Sequence, residues 1–345
     1  MRREKVDPEL LTALSDYQKY GRRGLSHHKQ KIGIISIDEP SKPVGIPVFL
    51  HCDPLVNLKY LSRYNTRVYQ SGGRIRTAFL PLTSLEALSE DRGLERINPS
   101  RYLRPAMDLI PRMDHLSMLD DAAGLTGKGI LLGIVDTGID PHHPSFHRRI
   151  LRIWDQTLSG SGVSEGAYGL ELTPPNLPLS QDRNGHGTRV AGIAAGLHPE
   201  FPGVAVSSDL LVVKTDFLNA HIADAIRYIS RVARELDRPV VVNLSLGTED
   251  HAPDAIDDLT QIVEEESGAG RIVCWAEGRS PMIVNSETIA ALNLPRRIPG
   301  GRNRTTSFSS GLIALLLETD PQLTPPDVRR ILFNNGAVGS NPRIA

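Results

Sequence analysis

Four short, nearly unbroken apolar runs punctuate the chain after residue 128: GILLGIVD at 129–136, DLLVVK at 209–214, PVVVNLS at 239–245 and GRIVCWA at 270–276. Runs of this length and continuity suit strands buried on both faces. Between them the apolar spacing changes to a helical period, in VAGIAAG, HIADAIRYISRVARELD and DAIDDLTQIVEEES. Strands alternating with helices imply an α/β fold, a mostly parallel sheet with helices on both faces. In that architecture ligands collect at the carboxyl ends of the strands.

Upstream the pattern is different. Residues 1–45 are polar and read as a weakly structured lead-in. Residues 46–98 form a unit of their own. IPVFLH is a strand pattern, PLVNLKYLSRYN carries helical spacing through Leu55, Leu58 and Leu61, and TRVYQSGGRIRTAFL reads as two strands about Gly72-Gly73. LTSLEALSED is a short capped helix with Leu85 and Leu88 on one face, and LERINP closes as a strand. Strand, helix, strand, strand, helix, strand is the order of a small α+β split βαβ domain. Residues 99–127, with Pro105 and Pro111, read as a connector to the domain at 128–345.

Composition narrows the function classes without choosing among them. The chain has 345 residues, 40% hydrophobic and 23% charged, with a net charge of −1. Near-neutrality gives no electrostatic footprint for nucleic acid or an anionic membrane. No apolar run approaches the ~20 residues that span a bilayer. The N-terminus MRREKVDPELLTALSDYQKY lacks the apolar core of a secretory signal, so the expected location is cytoplasmic. Cys52 and Cys274 are too few for a disulfide framework and have no metal-site spacing.

The candidate chemistry lies at two strand ends and one helix start. Asp136 ends the first run, in IVDTGID, with Gly138 placed to turn the chain away. His186 stands between Gly185 and Gly187 in DRNGHGTRVAGIAAG. Hydroxyls run into an apolar helix in GRNRTTSFSSGLIALLL at 301–317. Each has a plain structural reading as well, since Asp, Ser and Thr are common turn and cap residues.

Taken together, DTGIDPHHPSF and NGHGTRVAG resemble the Asp and His motifs of the subtilisin-like serine proteases. The resemblance implies that Asp136 orients an imidazole and that His186 is a general base. It continues through NLSLG, where Ser245, Leu246 and Gly247 are similar to a substrate-binding edge, and through GLIALLLETDPQLTPPDVRRIL, similar to the helix pair after the nucleophile. Residues 46–98 resemble the family's propeptide, which implies an intramolecular inhibitor. The implied partner is a polypeptide. His143-Pro144 falls on a structural pair of the family, so His142 and His143 are read as structural and no metal site is expected. Calcium enters only as a structural ion implied by the family.

Two parts depart from the family pattern. WAEG at 275–278 stands where the family has A-A-G-N-E-G, whose Asn donates to the oxyanion; Asn285 and Asn293 lie in no matching context. The chain also looks truncated between 277 and 306. For the nucleophile two alignments are open. Without a gap, Gly301 falls on the family's Gly and Asn303 on its Ser. With Thr305-Thr306-Ser307 in place of G-T-S, Ser307 is the nucleophile, Thr306, Ser309 and Ser310 are caps or solvent-facing groups, and four residues are missing before Gly311. Four helical residues are about 6 Å of rise and roughly 40° of residual rotation. The expected function is therefore a serine endopeptidase using Asp136, His186 and Ser307. The alternative is a catalytically dead relative that binds peptides on the same fold. A third reading is a damaged or incompletely assembled sequence with segments lost around 249–306, and a metallohydrolase built on Asp136, His142, His143 and His186 is the last.

Overall fold

The structure, a computed structural model, describes residues 1–29, 31–106, 124–247, 253–277, 280–283 and 306–334. The N-terminal part is a four-stranded sheet made of β1 (Gly45–His51), β2 (Arg67–Val68), β3 (Ile75–Pro81) and β4 (Arg96–Pro99). Its order is β2-β3-β1-β4 and every pair is antiparallel. The central strand β1 thus pairs with β3 and β4, which is the split βαβ arrangement.

Two details differ from the sequence reading. Residues 1–45 are not a loose lead-in: α1 (Pro8–Tyr20) is capped by Asp7, whose Oδ1 accepts from the Glu9 amide at 2.8 Å. Leu10, Ala13, Leu14, Leu25, Ile32 and Ile34 are buried in the same core as the sheet. The period of α1 was hidden by its polar side, because an amphipathic helix needs only one apolar stripe. The helix expected through Leu55, Leu58 and Leu61 is a 3₁₀ stretch, Leu58–Tyr64. Leu58 and Leu61 are buried, whereas Leu55 lies outside the helix and is 93% exposed. The second helix, α2 (Leu85–Ser89), buries Leu85 and Leu88 as the spacing indicates.

After β5 (Arg104–Pro105) comes the larger sheet. Its strands are β6 (Leu131–Asp136), β7 (Ile150–Asp155), β8 (Leu170–Leu172), β9 (Asp209–Lys214), β10 (Val240–Leu244), β12 (Arg271–Glu277) and β13 (Ser280–Ile283); β11 (Leu246–Gly247) pairs with β5 instead. The order is β13-β12-β10-β6-β9-β7-β8. The five inner strands are parallel and each edge strand is antiparallel.

Alternation along the strands feeds two cores. Leu131, Val135, Leu211, Val213, Val240 and Val242 face α4 (Asn219–Glu235) and α5 (Pro253–Glu266). Leu132, Ile134, Leu210, Val212, Val241 and Ile272 face α3 (His186–Ala195), α6 (Thr306–Thr319) and α7 (Pro325–Asn334). The protein is α/β with helices on both faces, as its hydrophobic pattern indicates.

The N-terminal sheet packs on the α4/α5 side. Phe49 and Ile75 join the core of that face. Polar pairs cross the contact as well: Asp258 on α5 takes hydrogen bonds from His51 at 2.7 Å and Asn98 at 2.9 Å, and the Arg227 guanidinium donates to the Ile75 carbonyl at 2.7 Å.

Candidate active site

Asp136 is the last residue of β6, wholly buried at the carboxyl edge of the sheet. Its Oδ1 accepts from the Thr137 amide at 2.6 Å and from His186 Nδ1 at 2.7 Å. His186 opens α3, and the loop before that helix is built to aim it. Gly185 sits at φ +84°, where a glycine is needed, and Gly138 turns away from β6 at φ +116°. Gly187 has to be glycine for a different reason: a Cβ there would lie 2.1 Å from the Gly138 carbonyl oxygen and 3.1 Å from Asp136 Cβ. That close approach brings the first turn of α3 onto the end of β6.

Asp182 holds the loop from behind. Its Oδ1 accepts from the Gly185 amide (2.8 Å), the Asn184 amide (3.1 Å) and the Thr137 hydroxyl (2.9 Å). Its Oδ2 accepts from the Thr188 amide (2.9 Å) and hydroxyl (2.7 Å). Burial alone raises this carboxyl, but the Thr188 bonds, then those from Gly185 and Thr137, outweigh it and hold the pKa below the ordinary value. The sequence reading passed over Asp182, although an Asp four residues before the His is a visible signal for a loop-binding carboxylate.

Ser307 lies at the start of α6 and is fully buried. Its Oγ is 3.4 Å from Ser245 Oγ, which also receives Asn243 Nδ2 at 3.0 Å. Thr306, Ser309 and Ser310, expected as caps or solvent-facing groups, do not face solvent: all three are buried, and the Ser310 hydroxyl donates to Asn243 Oδ1 at 2.9 Å. Small residues on α3 and Gly311 on α6 allow this depth. A Cβ on Gly311 would meet Val204 Cβ at 2.5 Å and the Ala194 carbonyl at 2.9 Å. Asn303 and Gly301 of the gapless alignment lie outside the described residues, as do Asn285 and Asn293.

Ser245, Leu246 and Gly247 form an edge, and the chain's own segment occupies it. Leu246 pairs with Pro105 and Gly247 with Arg104, antiparallel. The Ala106 amide donates to the Ser245 carbonyl at 2.8 Å. On its other side the same segment pairs with the start of α4: Tyr102 bridges Leu218, and the Leu103 amide donates to the Phe217 carbonyl at 2.8 Å. Residues 102–106 are thus the middle strand between two edges. Trp275 supports one edge from below, its indole N–H donating to the Leu246 carbonyl at 3.0 Å.

The segment ends on the imidazole. His186 Nε2 is 2.8 Å from the Ala106 carbonyl oxygen. A carbonyl only accepts, so the hydrogen of this contact is on Nε2, while Nδ1 faces the Asp136 carboxylate. The ring is held between Asp136 and the occupant.

His142 and His143 remain apart from this constellation. His143 Nδ1 accepts from the Ser145 amide at 3.3 Å and caps the turn Pro144–Phe146, the structural role expected of it. The His142 amide donates to Asp140 Oδ1 at 2.9 Å. Among the described residues these two do not gather with Asp136 and His186 into a group of metal donors.

Comparison with known proteins gives a consistent family. Residues 127–296 match the model described as the subtilase family. The chain is 28% identical over 229 residues to the serine protease AprX of Bacillus subtilis (strain 168), covering 61% of this chain and 46% of the relative. It is 32% identical over 138 residues to the subtilisin-like protease PopC of Myxococcus xanthus (strain DK1622), covering 37% and 27%. It is 35% identical over 164 residues to subtilisin BL of Lederbergia lenta, covering 46% and 50%. The chain therefore spans half or less of the length of these relatives. Among solved structures, fervidolysin from Fervidobacterium pennivorans aligns at 16% identity and a TM-score of 0.49, covering 86% of this chain and 58% of that one.

Proposed function

We propose, on the premise that residues 127–296 belong to the subtilase family, that this chain is a serine endopeptidase whose N-terminal domain is its own inhibitor and first substrate. The observation that carries the reading is the seat of Ala106. Its amide is bound by Ser245, its carbonyl by His186, and the residues before it lie as a strand between Phe217–Leu218 and Leu246–Gly247. An extended peptide added to exposed strand edges is bound chiefly through its main chain, which tolerates many sequences.

On this reading the chemistry runs through three side chains. Asp136 fixes the tautomer of His186 and stabilises the charged ring. His186 takes the proton of the Ser307 hydroxyl as Ser307 Oγ attacks the carbonyl carbon of the residue in the Ala106 position. The tetrahedral oxyanion forms beside the first turn of α6, where the positive end of the helix dipole favours negative charge. His186 then returns the proton to the leaving amine, and water repeats the sequence on the acyl-enzyme. The first bond in line is the one following Ala106.

The second reading, a peptide binder without turnover, is favoured by WAEG at 275–278, which has no Asn for the oxyanion. One such donor is worth about 2.7–4 kcal/mol of transition-state stabilisation. Incubating the purified full chain and sequencing the products separates the two. The peptidase reading expects a new N-terminus at Met107, absent in Ser307→Ala. A chain that stays intact at every pH while binding a peptide with the sequence of residues 100–106 in trans supports the binder.

A further inference from the structure

Helix α1 is joined to a short hook that doubles back on it. The hook is the 3₁₀ turn Gly21–Leu25, and Gly24 is its closest point: a Cβ there would lie 2.5 Å from the Asp16 carbonyl oxygen. This contact carries the two residues after Ser26 to the side chain of Asp16. His28 Nε2 is 2.9 Å and His27 Nε2 3.3 Å from the same oxygen, Asp16 Oδ2. The donor atoms of the three residues all lie within 4.8 Å of one another. Among the described residues, no other three His, Cys, Asp or Glu side chains gather in this way.

We propose that Asp16, His27 and His28 bind a zinc-class divalent transition-metal ion. Three features fit. Nitrogen donors from two imidazoles exclude calcium and magnesium, which take oxygen, and suit zinc. A tetrahedral ion with bonds of about 2.0–2.2 Å has its donors roughly 3.4 Å apart, and the two measured separations are close to that edge. The third feature is support behind the ligand. His28 is 1% exposed, and its other nitrogen, Nδ1, is 3.1 Å from Glu9 Oε1, two turns along α1 from Asp16. A carboxylate behind a histidine fixes the tautomer, presents the opposite lone pair and raises ligand basicity. Lys31 Nζ pairs with the same Glu9 oxygen at 3.4 Å, and Asp16 is the carboxylate among the three proposed ligands.

His27 is 61% exposed and Asp16 partly so, which leaves the fourth position open to water. The ion would tie the hook to α1, and α1 itself is anchored to the N-terminal sheet through the Asp7 amide on the Ile97 carbonyl at 3.1 Å.

The test is titration of the chelator-stripped full-length chain with zinc chloride, followed by calorimetry, with cobalt as a spectroscopic probe. The proposal expects one ion per chain and the visible bands of tetrahedral cobalt. His27→Ala, an exposed position that leaves the fold alone, and Asp16→Asn should each abolish the bands. Glu9→Gln should weaken zinc by about 10- to 100-fold. His147→Ala, an exposed histidine elsewhere, should change nothing. Absence of one-to-one binding, or binding unchanged in both His27→Ala and Asp16→Asn, overturns the proposal.

Discussion

Replacing Asp224 by Asn should remove a pH dependence of stability that comes from the contact between the two sheets. Asp224 is on α4, wholly buried. It accepts from Gln70 Nε2 at 2.9 Å and from the Thr77 hydroxyl, both from the N-terminal sheet region, and from the Tyr168 hydroxyl at 2.9 Å. Burial raises its pKa to about 6, against the opposing pull of Thr77, Arg227, His221 and Tyr168. In the unfolded chain the group titrates at about 3.9. Between those values the native state holds a proton that the unfolded state has released, so stability falls as pH rises through this window. Two pKa units correspond to about 3 kcal/mol. Asn keeps the shape and can accept from Thr77 while donating to the Tyr168 oxygen. Urea unfolding of Ser307→Ala chains, with and without Asp224→Asn, should be compared at pH 4 and pH 6.5. The chain retaining Asp224 should lose about 2 kcal/mol relative to the Asn variant over that interval, since at pH 4 the unfolded carboxyl is still partly protonated. Parallel pH curves would refute the reasoning.

Three other predictions follow from the site. Asp182→Asn should loosen the His186 loop and slow peptide cleavage. The wild-type carboxylate's contribution is full above about pH 3.9 and is lost as pH falls through its lower folded pKa, so acid unfolding should be shallower in the variant. Gly187→Ala forces a methyl against the Gly138 carbonyl and should cost about 1–3 kcal/mol of stability, with a larger loss of activity because Asp136 is displaced, as thermal melts and turnover would show. Leu103→Ala empties a buried site on the docked segment at a cost of about 2–5 kcal/mol, and the full-length chain should then be attacked faster by an added protease near residues 102–106.

Much of the larger sheet was legible in the sequence because its inner strands are buried on both faces. β9 spans the run DLLVVK from end to end, and β6, β10 and β12 differ from their runs by one or two residues. Asp136 and His186 were legible because glycines on either side mark the close approaches that their geometry needs. β7 and β8 were not, since Arg152 interrupts the first and the second has three residues. The docked strand at 104–105 had no local signal at all. Arg-Pro-Ala has no strand pattern, and its conformation comes from the two edges that receive it. The burial of Ser309 and Ser310 was equally hidden, because their hydroxyls face Asn243 and the core through a helix whose start looks polar in sequence. The metal-like cluster at Asp16, His27 and His28 depends on the turn at Gly24, not on any ligand spacing.

The most direct measurement is intact-mass analysis after treatment with a fluorophosphonate, which reacts with an activated serine. The full chain and its Ser307→Ala variant should be treated side by side above and below neutral pH. The account predicts one adduct per chain, on Ser307, appearing once the segment ending at Ala106 has left the cleft. A folded chain that takes up no label under any of these conditions, or whose Ser307→Ala variant labels equally, would contradict it.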